Sequence, residues 1–160
     1  MKRFLLSARM SAMKSSPKKA QAGQAVVEFA LVILFLMVFL ISFLEITALV
    51  YTYSVLADSA KEGVRFGAVH GTLSSTCNGP GVPGVACDGG ATGVKTAVTT
   101  YASSSLHSTA AMTITPSYPD GTSAPSSRVR VVVSYPYEPF FGLGWPTVTV
   151  QAAAEGRIMF

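Results

Sequence analysis

Apolar residues fill one stretch of the chain almost without a break, and the other elements are arranged around it. From Ala22 to Val69 there is no proline, and no glycine falls between Gly23 and Gly63, so nothing local stops one helix from running through the whole stretch. At ~1.5 Å per residue that helix is about 70 Å long, more than twice the ~30 Å hydrocarbon thickness of a bilayer. Its two halves differ in pattern. From Phe29 to Leu44 every residue but Ser42 is apolar, on all sides of the helix, as contact with lipid requires. From Ile46 onward the apolar positions narrow to a stripe. Ile46, Leu49, Val50, Tyr53, Leu56, Ala57, Ala60 and Val64 recur every three or four residues, while Thr47, Thr52, Ser54, Asp58, Lys61, Glu62 and Arg65 take the other faces. The pattern predicts a helix over 24–70 that spans a membrane at about 27–48 and then lies on protein in water.

Beyond His70 the pattern changes. Residues 71–93 hold Asn78-Gly79-Pro80-Gly81, Pro83-Gly84 and Asp88-Gly89-Gly90, the composition of a loop. Gly79, Gly81 and Gly84 do spell G-x-G-x-x-G. No strand or helix frames them, and Pro80 and Pro83 remove amides a phosphate would use, so the glycines read as loop chemistry. Thr92 to Ser105 places Val94, Ala97, Val98, Tyr101 and Ala102 at helical spacing behind Thr92 as a cap. Three β-branched, partly alternating runs follow at Ala111–Thr115, Arg128–Tyr135 and Thr147–Ala152, with Pro/Gly/Ser turns between them. A long N-terminal helix packed on a small antiparallel sheet is an α+β module, with residues 94–160 as its small domain.

Charge places the ends of the chain. The net charge is +4, from 12 basic and 8 acidic residues. Lys2, Arg3, Arg9, Lys14, Lys18 and Lys19 all precede the first acid, Glu28, so the basicity belongs to the leader 1–23 and points to no nucleic-acid partner. A basic, acid-free segment before an apolar span reads as cytoplasmic, which puts the N-terminus inside and the C-terminus outside, on the far side of the membrane. A secretory signal peptide has an apolar region of only ~7–15 residues, shorter than this one. An uncleaved single-pass anchor carrying an extracytoplasmic binding domain stays open.

The junction Gly23-Gln24-Ala25-Val26-Val27-Glu28-Phe29 separates these readings. A carboxylate one turn inside a lipid-facing helix costs on the order of 2.5–3.5 kcal/mol at mid-bilayer and less near the edge, so Glu28 calls for a reason. One reason is a side chain reaching for the headgroups. The other comes from resemblance: a basic leader, a glycine, four residues, then Glu-Phe and a long apolar helix is similar to the class III signal of type IV prepilins. In that family a membrane aspartic prepilin peptidase cuts after the glycine, here between Gly23 and Gln24. Gln24 with Glu28-Phe29 resembles the Flp/Tad branch. Glu45 followed by Ala57-Asp58-Ser59-Ala60-Lys61-Glu62-Gly63-Val64-Arg65-Phe66-Gly67-Ala68 is similar to the amphipathic segment of TadE-like proteins, minor pseudopilins of Tad pilus machinery. The resemblance covers Gly23 to about Gly71 and, more loosely, the last thirty residues. Gly63 departs from the helix-forming residue of that pattern and marks a point where the helix can bend.

The resemblance implies an inner-membrane pilus component that either stays in the membrane or enters a surface pilus, whose partners are the prepilin peptidase, other Tad pilus subunits, inner-membrane platform proteins and lipid. It implies no enzyme. Cleavage would create an ammonium on Gln24, and Glu28 would pair with that amine on a neighbouring subunit during assembly, beside Phe29. Glu45 reads as a marker of the outer interface. Outside the cytoplasm Cys77 and Cys87 read as a disulfide pinning the loop, since two cysteines with His70 or His107 are too few for a metal. The run Tyr135-Pro136-Tyr137-Glu138-Pro139-Phe140-Phe141-Gly142-Leu143-Gly144-Trp145-Pro146 is dense in aromatics. Tyr137, Phe140, Phe141 and Trp145 are candidates for a contact surface toward pilus components or the outer bilayer, or for core folded over the end of the sheet. No catalytic set, metal or cofactor is predicted, and both histidines are expected in solvent.

Overall fold

The computed structural model describes residues 17–142 and 146–160. The order of elements is α1 (Pro17–Val69), α2 (Thr92–Ser103), β1 (Thr113–Ser117), β2 (Arg128–Tyr137) and β3 (Val148–Arg157). The chain divides into two compact units between Ile41 and Ser42, and α1 contributes to both. Pro17 opens α1, a position where proline's missing N–H is no loss. The helix therefore begins before the leader boundary at Gly23, and the Gly23–Gln24 peptide bond lies inside it.

In the first unit, residues 23–40 of α1 are exposed on every face, Phe29, Leu31, Leu34, Phe35 and Phe39 among them, and the helix is long and apolar enough to cross a membrane. The second unit is an α+β module. Its sheet is antiparallel in the order β1-β2-β3. β2 is the central strand, and its alternation is strict where it matters: Val129, Val131 and Val133 are fully buried, while Arg128 and Arg130 face outward. Leu56, Ala60 and Val64 of α1, Val94 and Val98 of α2, and Val150, Ala152 and Ile158 complete the core.

Close approach of α1 to the sheet and to α2 depends on glycine. A Cβ at Gly63 would collide with Val98 Cγ2 and come within 3.4 Å of Val131 and 3.5 Å of Val94; one at Gly67 would lie 3.1 Å from Val129. The predicted weak point is thus a contact point, and α1 continues through it to Val69.

The apolar stripe of α1 is phased differently from the expectation. Leu56, Ala60 and Val64 are buried as predicted, but Ile46, Val50 and Tyr53 are half or more exposed, and Thr52 and Ser59 are buried in their stead. These two hydroxyls bond back to the helix's own carbonyls, Thr52 Oγ1 to Ala48 O (2.9 Å) and Ser59 Oγ to Leu56 O (2.8 Å), so they enter the interior with their polarity satisfied. The strands also shift. β1 begins two residues later than expected and includes Pro116, tolerated on an edge strand, and β3 extends five residues past Ala152. Helix α2 ends at Ser103, two residues before the predicted end.

Candidate functional site

Residues at the junction near the N-terminus are solvent-exposed. Gly23, Gln24, Glu28 and Phe29 are all exposed, Phe29 at 65%, and a Cβ built on Gly23 meets nothing within 4 Å. Glycine costs a helix about 1 kcal/mol relative to alanine, so Gly23 lowers the cost of opening the backbone locally.

Glu45 occupies the other end of the apolar run, and its position corrects the reading of it as an interface marker. The side chain is 6% exposed. Its Oε2 accepts from Tyr137 Oη (2.9 Å) and its Oε1 from the backbone N–H of Phe141 (2.8 Å). Tyr137 Oη also reaches the Glu45 carbonyl at 3.4 Å. A buried carboxylate needs such partners, because isolated burial of the charge is prohibitive. Burial, then the bond to Glu45, pushes the Tyr137 hydroxyl up to about 12. A tight apolar cleft of about 60 Å³ lies alongside, lined by Ile46, Leu49, Pro139, Pro146 and Val148 as well as this pair.

The aromatic run therefore splits between its two candidate roles. Tyr137 is core, 6% exposed, whereas Phe140 is 87% and Phe141 52% exposed. Trp145 lies outside the described residues. His107 is exposed on the rim of a groove of about 460 Å³ that Tyr135, Glu138 and Phe140 also line. His70 departs from expectation: it is half-buried, stacked on Phe66 with ring centroids 3.9 Å apart, and its Nδ1 lies 2.8 Å from Phe66 O.

The loop after α1 is wired throughout. Cys77 and Cys87 form a disulfide with Cα atoms 4.9 Å apart. Beside it, Gly79 N donates to Asp88 O (2.8 Å) and Asp88 N to Cys77 O (3.1 Å). Asn78 is buried; its Oδ1 accepts from Gly93 N (2.9 Å) and its carbonyl from Tyr118 Oη (3.1 Å). Asp88, not Thr92, caps α2: its carboxylate accepts from Thr92 N at 2.7 Å and Gly90 N at 3.1 Å. These amides, Thr92's first, hold the Asp88 carboxyl below the usual range. Ala91, at φ 48°, turns the chain into the helix. With Gly79 and Gly84 at positive φ and the disulfide and these hydrogen bonds across it, the loop is a structural clasp.

Sequence comparison bears on the first part of this arrangement. The family model of TadE-like proteins matches from Gly23 to Arg65. Over those residues the chain is similar to TadE-like proteins. The match begins at the glycine of the junction, runs through Glu28, Phe29 and Glu45, and includes the contact at Gly63. No curated protein and no solved structure matches the chain.

Proposed function

We propose that this chain is a minor pseudopilin or assembly component of a Tad/Flp-type pilus, held in the inner membrane by α1 with its N-terminus cytoplasmic, and trimmed by a prepilin peptidase between Gly23 and Gln24. The observation that carries this reading is the TadE-like match that starts at Gly23 and runs through the Glu28-Phe29 pair into an apolar helix. Two features support it. The disulfide suits an oxidising, extracytoplasmic location for the second unit, on the side opposite the basic leader. Gly23 itself is exposed, and glycine lowers the cost of opening the helix at the proposed cut.

In this reading Glu28 is an assembly residue. Trimming leaves an ammonium on Gln24, and the Glu28 carboxylate pairs with that amine on a neighbouring subunit, because two charges in a dry contact are tolerated only as a pair. Peptidase, other pilus subunits and platform proteins are the partners.

Co-expression with a prepilin peptidase tests it. Intact mass is expected to show loss of residues 1–23, and Gly23→Val is expected to retain them, since a branched side chain blocks approach to the peptide bond. Wild-type protein that keeps Met1 in the presence of active peptidase would refute the processing and leave an uncleaved anchor. Glu28→Leu is expected to insert normally, as an apolar residue belongs in lipid, but to lose co-purification with pilus components and surface piliation. Normal piliation in that variant would remove the assembly role.

A further inference from the structure

The second unit has an apolar end. On α1, Phe43, Leu44, Ile46 and Val50 are between 52% and 60% exposed, and in the segment after β2, Phe140 and Phe141 are exposed. Glu45 ties the two groups together at one level. By accepting from Phe141 N and from Tyr137 Oη, its carboxylate clamps the beginning of the β2–β3 connection to the last turn of the apolar run. About twenty residues at ~1.5 Å each cross a ~30 Å hydrocarbon layer, so a span that begins near Val27 ends near Ile46, beside that clamp.

We infer that the segment around Phe140 and Phe141 is a foot that seats these two rings in the interfacial layer of the bilayer leaflet on the side of the second unit, with Glu45 as its positioning residue. The inference rests on the membrane-spanning reading of α1. Phe43 and Leu44 belong to that span and need lipid around them, and the backbone N–H of Phe141 is held by Glu45, the next residue along the helix. Exposed Phe side chains beside a span bury their apolar area about 5–10 Å deep at the boundary between headgroups and acyl chains. The charge pattern agrees with a lipid surface reached by apolar contact alone: over residues 42–57 and 131–152 the only charged residues are Glu45 and Glu138. Glu45 spends its charge on internal donors, and Glu138 is exposed at a level where a carboxylate remains hydrated. Without lysine or arginine, seating does not depend on anionic lipid.

Depth-dependent quenching tests this on the full chain. In a Trp145→Phe background, Phe140→Trp, Phe35→Trp and Tyr101→Trp each give a single-tryptophan protein, reconstituted in phosphatidylcholine vesicles with bromine either near the headgroup end or deep in the acyl chains. Phe35→Trp is expected to be quenched by deep bromine, Tyr101→Trp by neither, and Phe140→Trp several-fold more by shallow bromine than Tyr101→Trp. Replacing part of the phosphatidylcholine with phosphatidylglycerol is expected to leave that quenching unchanged. If Phe35→Trp is quenched and Phe140→Trp behaves like Tyr101→Trp, the span stands and the foot is refuted. If Phe35→Trp is unquenched, span and foot both fail. A blue-shifted Phe140→Trp emission without lipid quenching assigns the patch to protein contact and overturns the lipid assignment. Adding Glu45→Leu to Phe140→Trp is expected to lower its shallow quenching several-fold with Phe35→Trp quenching intact, and Glu45→Gln, which keeps one accepting oxygen, to fall between. Equal quenching with and without Glu45 removes the clamp.

Discussion

Replacing Gly63 with alanine sets two opposing effects against each other, and the structure decides between them. Alanine favours a helix over glycine by about 1 kcal/mol, so on propensity alone Gly63→Ala stabilises α1. The new methyl, however, would collide with Val98 Cγ2 and press toward Val131 and Val94. Val98 is fully buried and sits on α2, where a β-branched side chain has one strongly preferred rotamer, so it has little freedom to move aside. Overpacking a well-filled core costs about 1–3 kcal/mol, which leaves Gly63→Ala destabilising by up to about 2 kcal/mol. The reasoning makes a sharper demand on the double variant. Val98→Ala alone leaves a hole and loses stability; in that background Gly63→Ala regains about 1 kcal/mol of helix propensity and about 0.8 kcal/mol from one more buried methyl. Its effect should therefore change sign. Denaturant unfolding of the four full-length proteins in one detergent measures the cycle. Gly63→Ala that stabilises the wild-type background, or that destabilises the Val98→Ala background as much as the wild type, would refute the close contact between α1 and α2.

Other outcomes follow from the clasp and from Tyr137. Changing Cys77 and Cys87 together to serine is expected to lower unfolding stability by just under the ~3 kcal/mol of a 15-residue loop, because the bridge here joins residues 10 apart; an unchanged unfolding midpoint would contradict this. For Tyr137, whose hydroxyl is pushed to about 12 in the fold and titrates near ~10 when unfolded, the unfolded chain releases its proton first as the pH rises. Its contribution is thus complete below about pH 10 and is lost as the pH climbs toward 12, by about 2–3 kcal/mol in all, with Tyr118 sharing the window. Tyr137→Phe should start less stable, because Glu45 loses a donor, and show a shallower alkaline decline when denaturation is measured across that range.

Much of this architecture was legible because it rests on runs of like residues. Phe29 to Leu44 announces a helix apolar on every face, and Val129, Val131 and Val133 announce a buried strand face whatever surrounds them. What escaped was set by partners far away in the sequence. Ile46, Val50 and Tyr53 look like core and are exposed, while Thr52 and Ser59 look like surface and are buried, because a hydroxyl that bonds its own helix loses the polarity on which the pattern depends. The second half of β3, Ala153 to Arg157, has little intrinsic strand preference and is ordered by pairing with Arg128 to Val132. Glu45 could be seen as a carboxylate wedged between Leu44 and Ile46, but not that its donors lie 92 and 96 residues onward. Asp88 was hidden for a similar reason, since its capping role depends on Ala91 taking a left-handed turn.

The clasp also has a consequence for biogenesis. These 160 residues contain two cysteines, and they are bonded to each other, so a single chain has one way to be oxidised where four cysteines would have three. Oxidation of the chain needs an electron acceptor but no reshuffling of wrong pairs. The remaining hazard is a bridge between two chains, which grows with local crowding of nascent subunits and not with any difficulty in folding one of them.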